Sequence, residues 1–253
     1  MSICFTTNLM FKSILLFRTL KINLNNFFLK RKEIPTVYLT FDDGILNGTS
    51  NCVDTCIRNN VKATFFIVGS HVNGTKKRDI LNKLKAEKSL LLVANHSHSH
   101  ANEKYILFYH DVQGALEDFI YSQKILELTN NIVRLPGNGA WGNKNGSKAS
   151  PLVKPLVNLL LENKFNVIGW DWEFKIPNQP VGNPKELANT LTKSFLSIIK
   201  SNKSYTNNHY VILLHDWMFQ HSNKVQVLSL FIQDLKTKNI LKFGTIDNYP
   251  NLF

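Results

Sequence analysis

Asp42 and Asp43 are adjacent carboxylates at the end of the run Thr36-Val37-Tyr38-Leu39-Thr40-Phe41, and Gly44 follows them. Two neighbouring carboxylates repel unless a positive charge is close. A metal ion supplies that charge and leaves the second carboxylate free as a base. An ordinary Asp-Asp-Gly turn is the competing reading, because both residue types are common turn formers. Three of the eight histidines lie in His96-Ser97-His98-Ser99-His100. The four-residue spacing of His96 and His100 predicts one helical turn with both imidazoles on one side. His98 then faces away, as an outer or substrate contact. A polar histidine-rich loop is the plain alternative. Imidazole and carboxylate ligands suit zinc and its first-row neighbours. Asp43, His96 and His100 make a two-His, one-carboxylate set, and three protein ligands leave a position for water, as catalytic metal sites require.

Further polar residues sit at the ends of other apolar runs. His215 closes Tyr210-Val211-Ile212-Leu213-Leu214 and precedes Asp216. A histidine there can act as a general acid, or can simply end a strand. Arg134 precedes Leu135-Pro136. It can hold a carboxylate in place, or form a surface ion pair. Asp171 stands between Trp170 and Trp172. The group reads either as a sugar-stacking wall with a polar anchor or as core indoles beside an exposed acid.

The elements that must position these residues alternate along the chain. Strands are predicted at 36–41, 63–68, 90–94, 132–134, 166–172 and 210–214. Helices are predicted at about 49–60, 76–88, 111–128, 152–163, 185–200 and 224–238. The Gly-, Asn- and Ser-rich stretch 137–150 and residues 177–184 read as loops. Strand and helix alternating over this length indicate a parallel sheet, open or closed as a barrel. In both architectures the loops after the strands line the ligand face, where the polar residues above fall.

The 253 residues suffice for one large domain, and 43% hydrophobic against 19% charged residues excludes a disordered chain. The net charge of +12 favours anionic partners. The excess is spread along the chain as lysine, which reads as a solvated surface. Cys4, Cys52 and Cys56 cannot form a disulfide framework, and Cys52 and Cys56 read as buried small apolar residues. Residues 1–34 are a separate N-terminal arm ahead of a domain over 35–253. Arg18 and Lys21 interrupt the apolar run at 10–28, which argues against a membrane span. A short targeting segment and a basic arm on a membrane surface stay open.

Five motifs in order resemble the polysaccharide deacetylase (NodB-homology) family: Thr40-Phe41-Asp42-Asp43-Gly44, Ala63-Thr64-Phe65-Phe66-Ile67-Val68-Gly69, His96-Ser97-His98-Ser99-His100, Arg134-Leu135-Pro136 and Leu213-Leu214-His215. The resemblance implies an α/β fold, a distorted (β/α) barrel that is TIM-like with fewer than eight full units. It implies that Asp43, His96 and His100 hold a divalent metal, usually Zn2+. Asp42 is then the general base and His215 the general acid. Arg134 orients Asp42, with Asp171 behind it. Gly137, Trp172 and Leu213 are substrate-side residues, with Leu213 lining the acetyl-methyl pocket. The implied reaction is hydrolysis of the acetamide (or acetyl ester) of N-acetylated sugars in peptidoglycan or chitin-type polymers, at the periplasm, cell envelope or outside, with the cytoplasm as the open alternative. The basic surface allows a peripheral membrane or cell-wall contact, and no nucleic acid is expected. A glycan-binding module of the same fold and a hydrolase of small cyclic amides are the alternatives. Three positions depart from the family pattern: Gly137 replaces a frequent aromatic, Ile45 a frequent proline, and Trp170-Asp171-Trp172-Glu173 only partly matches the fourth motif.

Overall fold

Parallel strands covered on both faces carry apolar side chains in both directions, and the predicted runs have that character. The computed structural model describes residues 33–253 apart from positions 178 and 180. The arm proposed for residues 1–34 therefore lies almost entirely outside the described residues, as does Cys4. The strands are β1 (Thr36–Gly44), β2 (Ala63–Ile67), β3 (Leu91–Asn95), β4 (Ile132–Val133), β5 (Trp141–Asn143), β6 (Gly146–Lys148), β7 (Asn166–Val167), β8 (Trp172–Glu173), β9 (His209–His215) and β10 (Lys242–Phe243). The α-helices are α1 (Thr49–Arg58), α2 (Thr75–Ala86), α3 (Tyr105–His110), α4 (Val112–Ile125), α5 (Lys154–Glu162), α6 (Pro184–Lys200) and α7 (Ser222–Thr237).

β4, β3, β2, β1 and β9 lie side by side in that order, all parallel. The segment 166–173 closes the ring. Its first half, β7, pairs with β4, and its second half, β8, pairs with β9. Six staves thus form a barrel, fewer than the eight of a full TIM fold. All of them bring their C-terminal ends to one mouth.

Side chains alternate across the staves with period two. Tyr38, Phe66, Ala94 and Val211 fill the barrel interior. Val37, Leu39, Phe41, Phe65 and Ile212 face outward against α1, α2, α6 and α7. On the opposite flank Val133 and Val167 pack on Leu116, Phe119, Val157 and Leu160 of α4 and α5. Each fully buried side chain of this size stabilises the fold by about 1.5–3 kcal/mol. Cys52 and Cys56 are fully buried free thiols in the outer layer.

Three local expectations are corrected. The stretch 137–150 contains the antiparallel hairpin β5–β6, with Asn143 opposite Gly146. The strand expected at 166–172 leaves strand geometry after Val167, and over 168–171 the chain passes from pairing with β4 to pairing with β9. The helix expected from about 111 is preceded by the short α3. Among the described residues no helix is long and apolar enough to cross a membrane.

Candidate functional site

Adjacent residues in a regular strand point to opposite faces, so Asp42 and Asp43 could not both reach the mouth of an undistorted β1. The strand is distorted there. Phe41 pairs with Phe65 and Gly44 with Ile67, so β1 carries one extra residue. Asp43 takes φ +74, and its carbonyl oxygen lies 2.7 Å from His71 Nδ1. Such a bulge re-aims side chains beside functional sites. Asp42 keeps the interior direction of Tyr38 and Thr40, while Asp43 swings over the mouth.

The histidine segment leaves β3 as a loop. Ser97 has φ +66 and His100 φ +50, so the α-turn expected between His96 and His100 is not formed. Side chains hold the loop instead. Asn95 Oδ1 accepts from the Ser97 N–H at 2.9 Å, Ser97 Oγ from the His100 N–H at 3.0 Å, and Asp118 Oδ1 from the His98 N–H at 2.7 Å. Both imidazoles nevertheless converge on one carboxylate oxygen. Asp43 Oδ1 lies 3.4 Å from His96 Nε2 and 3.2 Å from His100 Nε2. His96 Nδ1 is 3.0 Å from the Arg134 carbonyl oxygen, and His100 Nδ1 is 3.0 Å from Glu103 Oε1. His98 turns away and packs edge-on against Tyr121.

Burial raises the Asp43 pKa, but hydrogen bonds from His100 and His96 and the charges of His96 and His215 outweigh it, holding the carboxyl well below the usual range. Burial lowers the His100 pKa, but the Asp43 and Glu103 carboxylates outweigh that and the net shift is upward.

Arg134 is 0% exposed beneath the site. Its Nη1 donates to Asp42 Oδ1 and to Thr40 Oγ1, both at 2.7 Å; Nε donates to the Ile168 carbonyl at 2.9 Å and Nη2 to the Gly169 carbonyl at 2.8 Å. The guanidinium also stacks 4.1 Å from the Phe66 ring centroid. The fork thus fixes one oxygen of Asp42 while the other, Oδ2, faces His96 Nε2 at 3.7 Å.

His215 pairs in register with Asp42 at the end of β9. Its Nδ1 is buried without a hydrogen-bond partner. Asp42, Asp43, His96, His100, Gly137, Leu213 and His215 line one cleft of about 260 Å³. Glu103, Tyr105, Trp170 and Trp217 complete its wall. Two expected site residues do not line the cleft, though the charge of Asp171 acts on Arg134. Asp171 accepts from the Tyr205 N–H at 2.6 Å and the Val211 N–H at 2.8 Å, which ties the 166–173 segment to β9 and its approach. Trp172 packs on Phe231, Phe195 and Phe174 in the outer core. The break in the strand separates the two indoles, and Trp170 is the one at the cleft. Gly137, at φ +60, lies under the Tyr105 ring, where an added Cβ would come within 3.2 Å of Cε1.

Asp43, His96 and His100 each offer one atom, all within 4.8 Å of one another. A tetrahedral site with bonds of about 2.0–2.1 Å has ligand–ligand edges of about 3.3 Å. The observed separations of 3.2 and 3.4 Å fit that edge. The polysaccharide deacetylase profile matches residues 30–132. Over that stretch the chain resembles the polysaccharide deacetylase family. It is similar to a peptidoglycan-N-acetylglucosamine deacetylase of Bacillus cereus, 25% identical over 82% of this chain and 68% of that protein. It is also similar to a chitin disaccharide deacetylase of Vibrio alginolyticus, 23% identical over 85% of this chain and 72% of that protein. The crystal structure of a polysaccharide deacetylase from Bacillus cereus superposes with a TM-score of 0.60, at 21% identity, over 87% of this chain and 97% of that one, which shows the shared fold. The profile match contains Asp42, Asp43, His96 and His100 and ends before Arg134, Gly137, Leu213 and His215. Those later residues reach the same cleft through β4, β9 and their loops.

Glu103, Tyr105, Trp170 and Trp217 were not singled out as site residues from the sequence. Only Trp170 carried a signal there, as an aromatic beside an acid at a strand end.

Proposed function

We propose that this chain is a metal-dependent N-deacetylase acting on N-acetylglucosamine units of a polysaccharide such as peptidoglycan or chitin. The observation that carries the reading is the meeting of His96 Nε2 and His100 Nε2 on Asp43 Oδ1, with Asp42 beside them and His215 in the same cleft. Asp43, His96 and His100 would hold a divalent ion, with zinc best matched to the donors. Bound there, such an ion supplies Lewis acidity to the acetyl carbonyl and to a water.

The chain's own residues do the rest. Asp42 takes a proton from the attacking water through Oδ2, because Oδ1 is engaged by Arg134. Water oxygen joins the acetyl carbon, the C–N bond breaks, and the products are acetate and a free amine. His215 delivers the proton the amine needs to leave. The Gly137 N–H offers an oxyanion donor, in the manner of backbone amides in acyl transfer. Leu213 bounds the acetyl methyl, and Trp170 and Tyr105 flank the sugar. A lectin of the same fold needs neither Asp42 nor His215 in such a position. The peptidoglycan and chitin deacetylases it resembles and the +12 charge support action at the cell envelope, where acidic polymers are met.

The test is acetate release from chitin oligomers and from peptidoglycan, with zinc or another divalent metal supplied. The reading expects release that a chelator abolishes. No release from either substrate by correctly folded, metal-supplemented protein would overturn it.

A further inference from the structure

The two imidazoles that face Asp43 are braced in different ways. His96 is 2% exposed and its Nδ1 meets a main-chain carbonyl. His100 sits higher, in the loop, and its Nδ1 meets the side chain of Glu103. That contact needs an unusual backbone. His100, Ala101, Asn102 and Glu103 have φ of +50, +57, +47 and +59. The left-handed conformation is disfavoured for residues with a Cβ, and a run of four persists only where the surroundings hold it. The turn brings Glu103 Oε1 to 3.0 Å from His100 Nδ1, on the side of the ring away from Asp43. The Glu103 side chain is 75% exposed, so the contact competes with water. It has a clamp: Tyr105 Oη donates to Glu103 Oε2 at 2.8 Å. Tyr105 is itself fixed, edge-on to His100 with ring centroids 5.9 Å apart and seated over Gly137. The absent side chain at 137 leaves room for that ring. Neither Glu103 nor Tyr105 belongs to any of the five sequence motifs.

We propose that Glu103, clamped by Tyr105, is a positioning residue for the metal centre, fixing the tautomer and orientation of His100 so that Nε2 is presented to the ion. The proposal rests on the metal-dependent reading above. A carboxylate on the far nitrogen of a ligating histidine fixes the ring and strengthens its ligand atom. Loss of such a partner typically weakens metal binding about 10–100-fold.

The experiment measures the Zn2+ dissociation constant of the full chain by competition with a chromophoric chelator, for wild type, Glu103→Ala, Glu103→Gln and Tyr105→Phe. The expected result is a rise of about 10–100-fold for Glu103→Ala. Glu103→Gln, which keeps an acceptor oxygen, is expected to recover part of the affinity, and Tyr105→Phe to show a smaller rise. Imidazole 15N shifts of the zinc-loaded protein should show His100 protonated at Nδ1 in wild type and a mixed population in Glu103→Ala. A constant within about two-fold of wild type for Glu103→Ala overturns the proposal. If that variant fails to fold, the near-isosteric Glu103→Gln and Tyr105→Phe carry the same decision. Acetate release by the same samples separates the two readings. Release by wild type with unchanged zinc affinity in the variants sinks the brace alone. Weakened zinc binding with no release by any sample sinks the deacetylase reading and leaves the brace. A wild-type chain that binds no zinc overturns both.

Discussion

Arg134→Lys keeps the charge under Asp42 and removes the fork. The guanidinium reaches four acceptors: Asp42 Oδ1, Thr40 Oγ1 and the carbonyls of Ile168 and Gly169, at 2.7, 2.7, 2.9 and 2.8 Å. A lysine ammonium has three donors radiating from one atom, so at least one buried acceptor goes unmet. Each such group costs about 1–3 kcal/mol. The residue is fully buried, so water cannot substitute. Arg134→Leu goes further and leaves the Asp42 carboxylate buried without a counter-charge, at about 3–5 kcal/mol. Against a total stability of about 5–15 kcal/mol, Lys should be tolerated and Leu barely so. Urea unfolding in the presence of a chelator measures both without a contribution from bound metal. The expected order is wild type above Lys above Leu, with Lys lower by at least about 1 kcal/mol. A Lys variant within about 0.5 kcal/mol of wild type, the range of ordinary surface substitutions, would refute the role of the fork.

Other outcomes are equally specific. Asp42→Asn retains an oxygen for Arg134 and is expected to lower acetate release by about 10²–10⁴ while zinc still binds, and undiminished release would remove Asp42 from the base role. Trp172→Ala should cost stability, toward the low end of the roughly 3–5 kcal/mol of core indoles, with KM for chitin oligomers little changed. Trp170→Ala should do the reverse, and equal effects on KM would contradict the separation of the two indoles. Burial raises the Asp216 pKa to about 7, opposed by a hydrogen bond from Thr49 and reinforced by the Asp43 charge. A carboxyl with a higher pKa folded than unfolded binds more protons in the folded state, so its contribution to stability is lost as pH rises from about 4 to about 7. Asp216→Asn should flatten that fall in urea midpoints, and an unaltered slope would count against the shift.

Much of this site was legible because parallel, doubly covered strands are written as continuous apolar runs. Phe41, Asn95, Val133 and Leu214 end or nearly end such runs, and the chemistry follows within a residue or two of each. The strand–helix alternation implies parallel pairing, and parallel pairing brings the C-terminal strand ends to one mouth. What escaped depends on local backbone that residue type does not announce. Glu103 and Tyr105 become site residues only through the left-handed turn at 100–103, which contains no glycine. The pairing of His96 and His100 arises from loop hydrogen bonds to Asn95, Ser97 and Asp118, not from helical spacing. Trp170 and Trp172 read either as a sugar wall or as core indoles, and the break after Val167 divides them, with Trp172 packed on Phe174, Phe195 and Phe231. The β5–β6 hairpin turns at Lys144-Asn145 and Gly146 opens β6 at φ +114, so the Asn and Gly there were a turn signal within the stretch read as a loop.

The claim on which the rest stands is that Asp43, His96 and His100 share one ion. An anomalous difference map collected at the zinc absorption edge, from crystals grown with zinc, tests it directly. The account predicts a single strong peak about 2.0–2.2 Å from an Asp43 carboxylate oxygen and from His96 Nε2 and His100 Nε2. No peak at that position, or a peak bound by other residues, would contradict it.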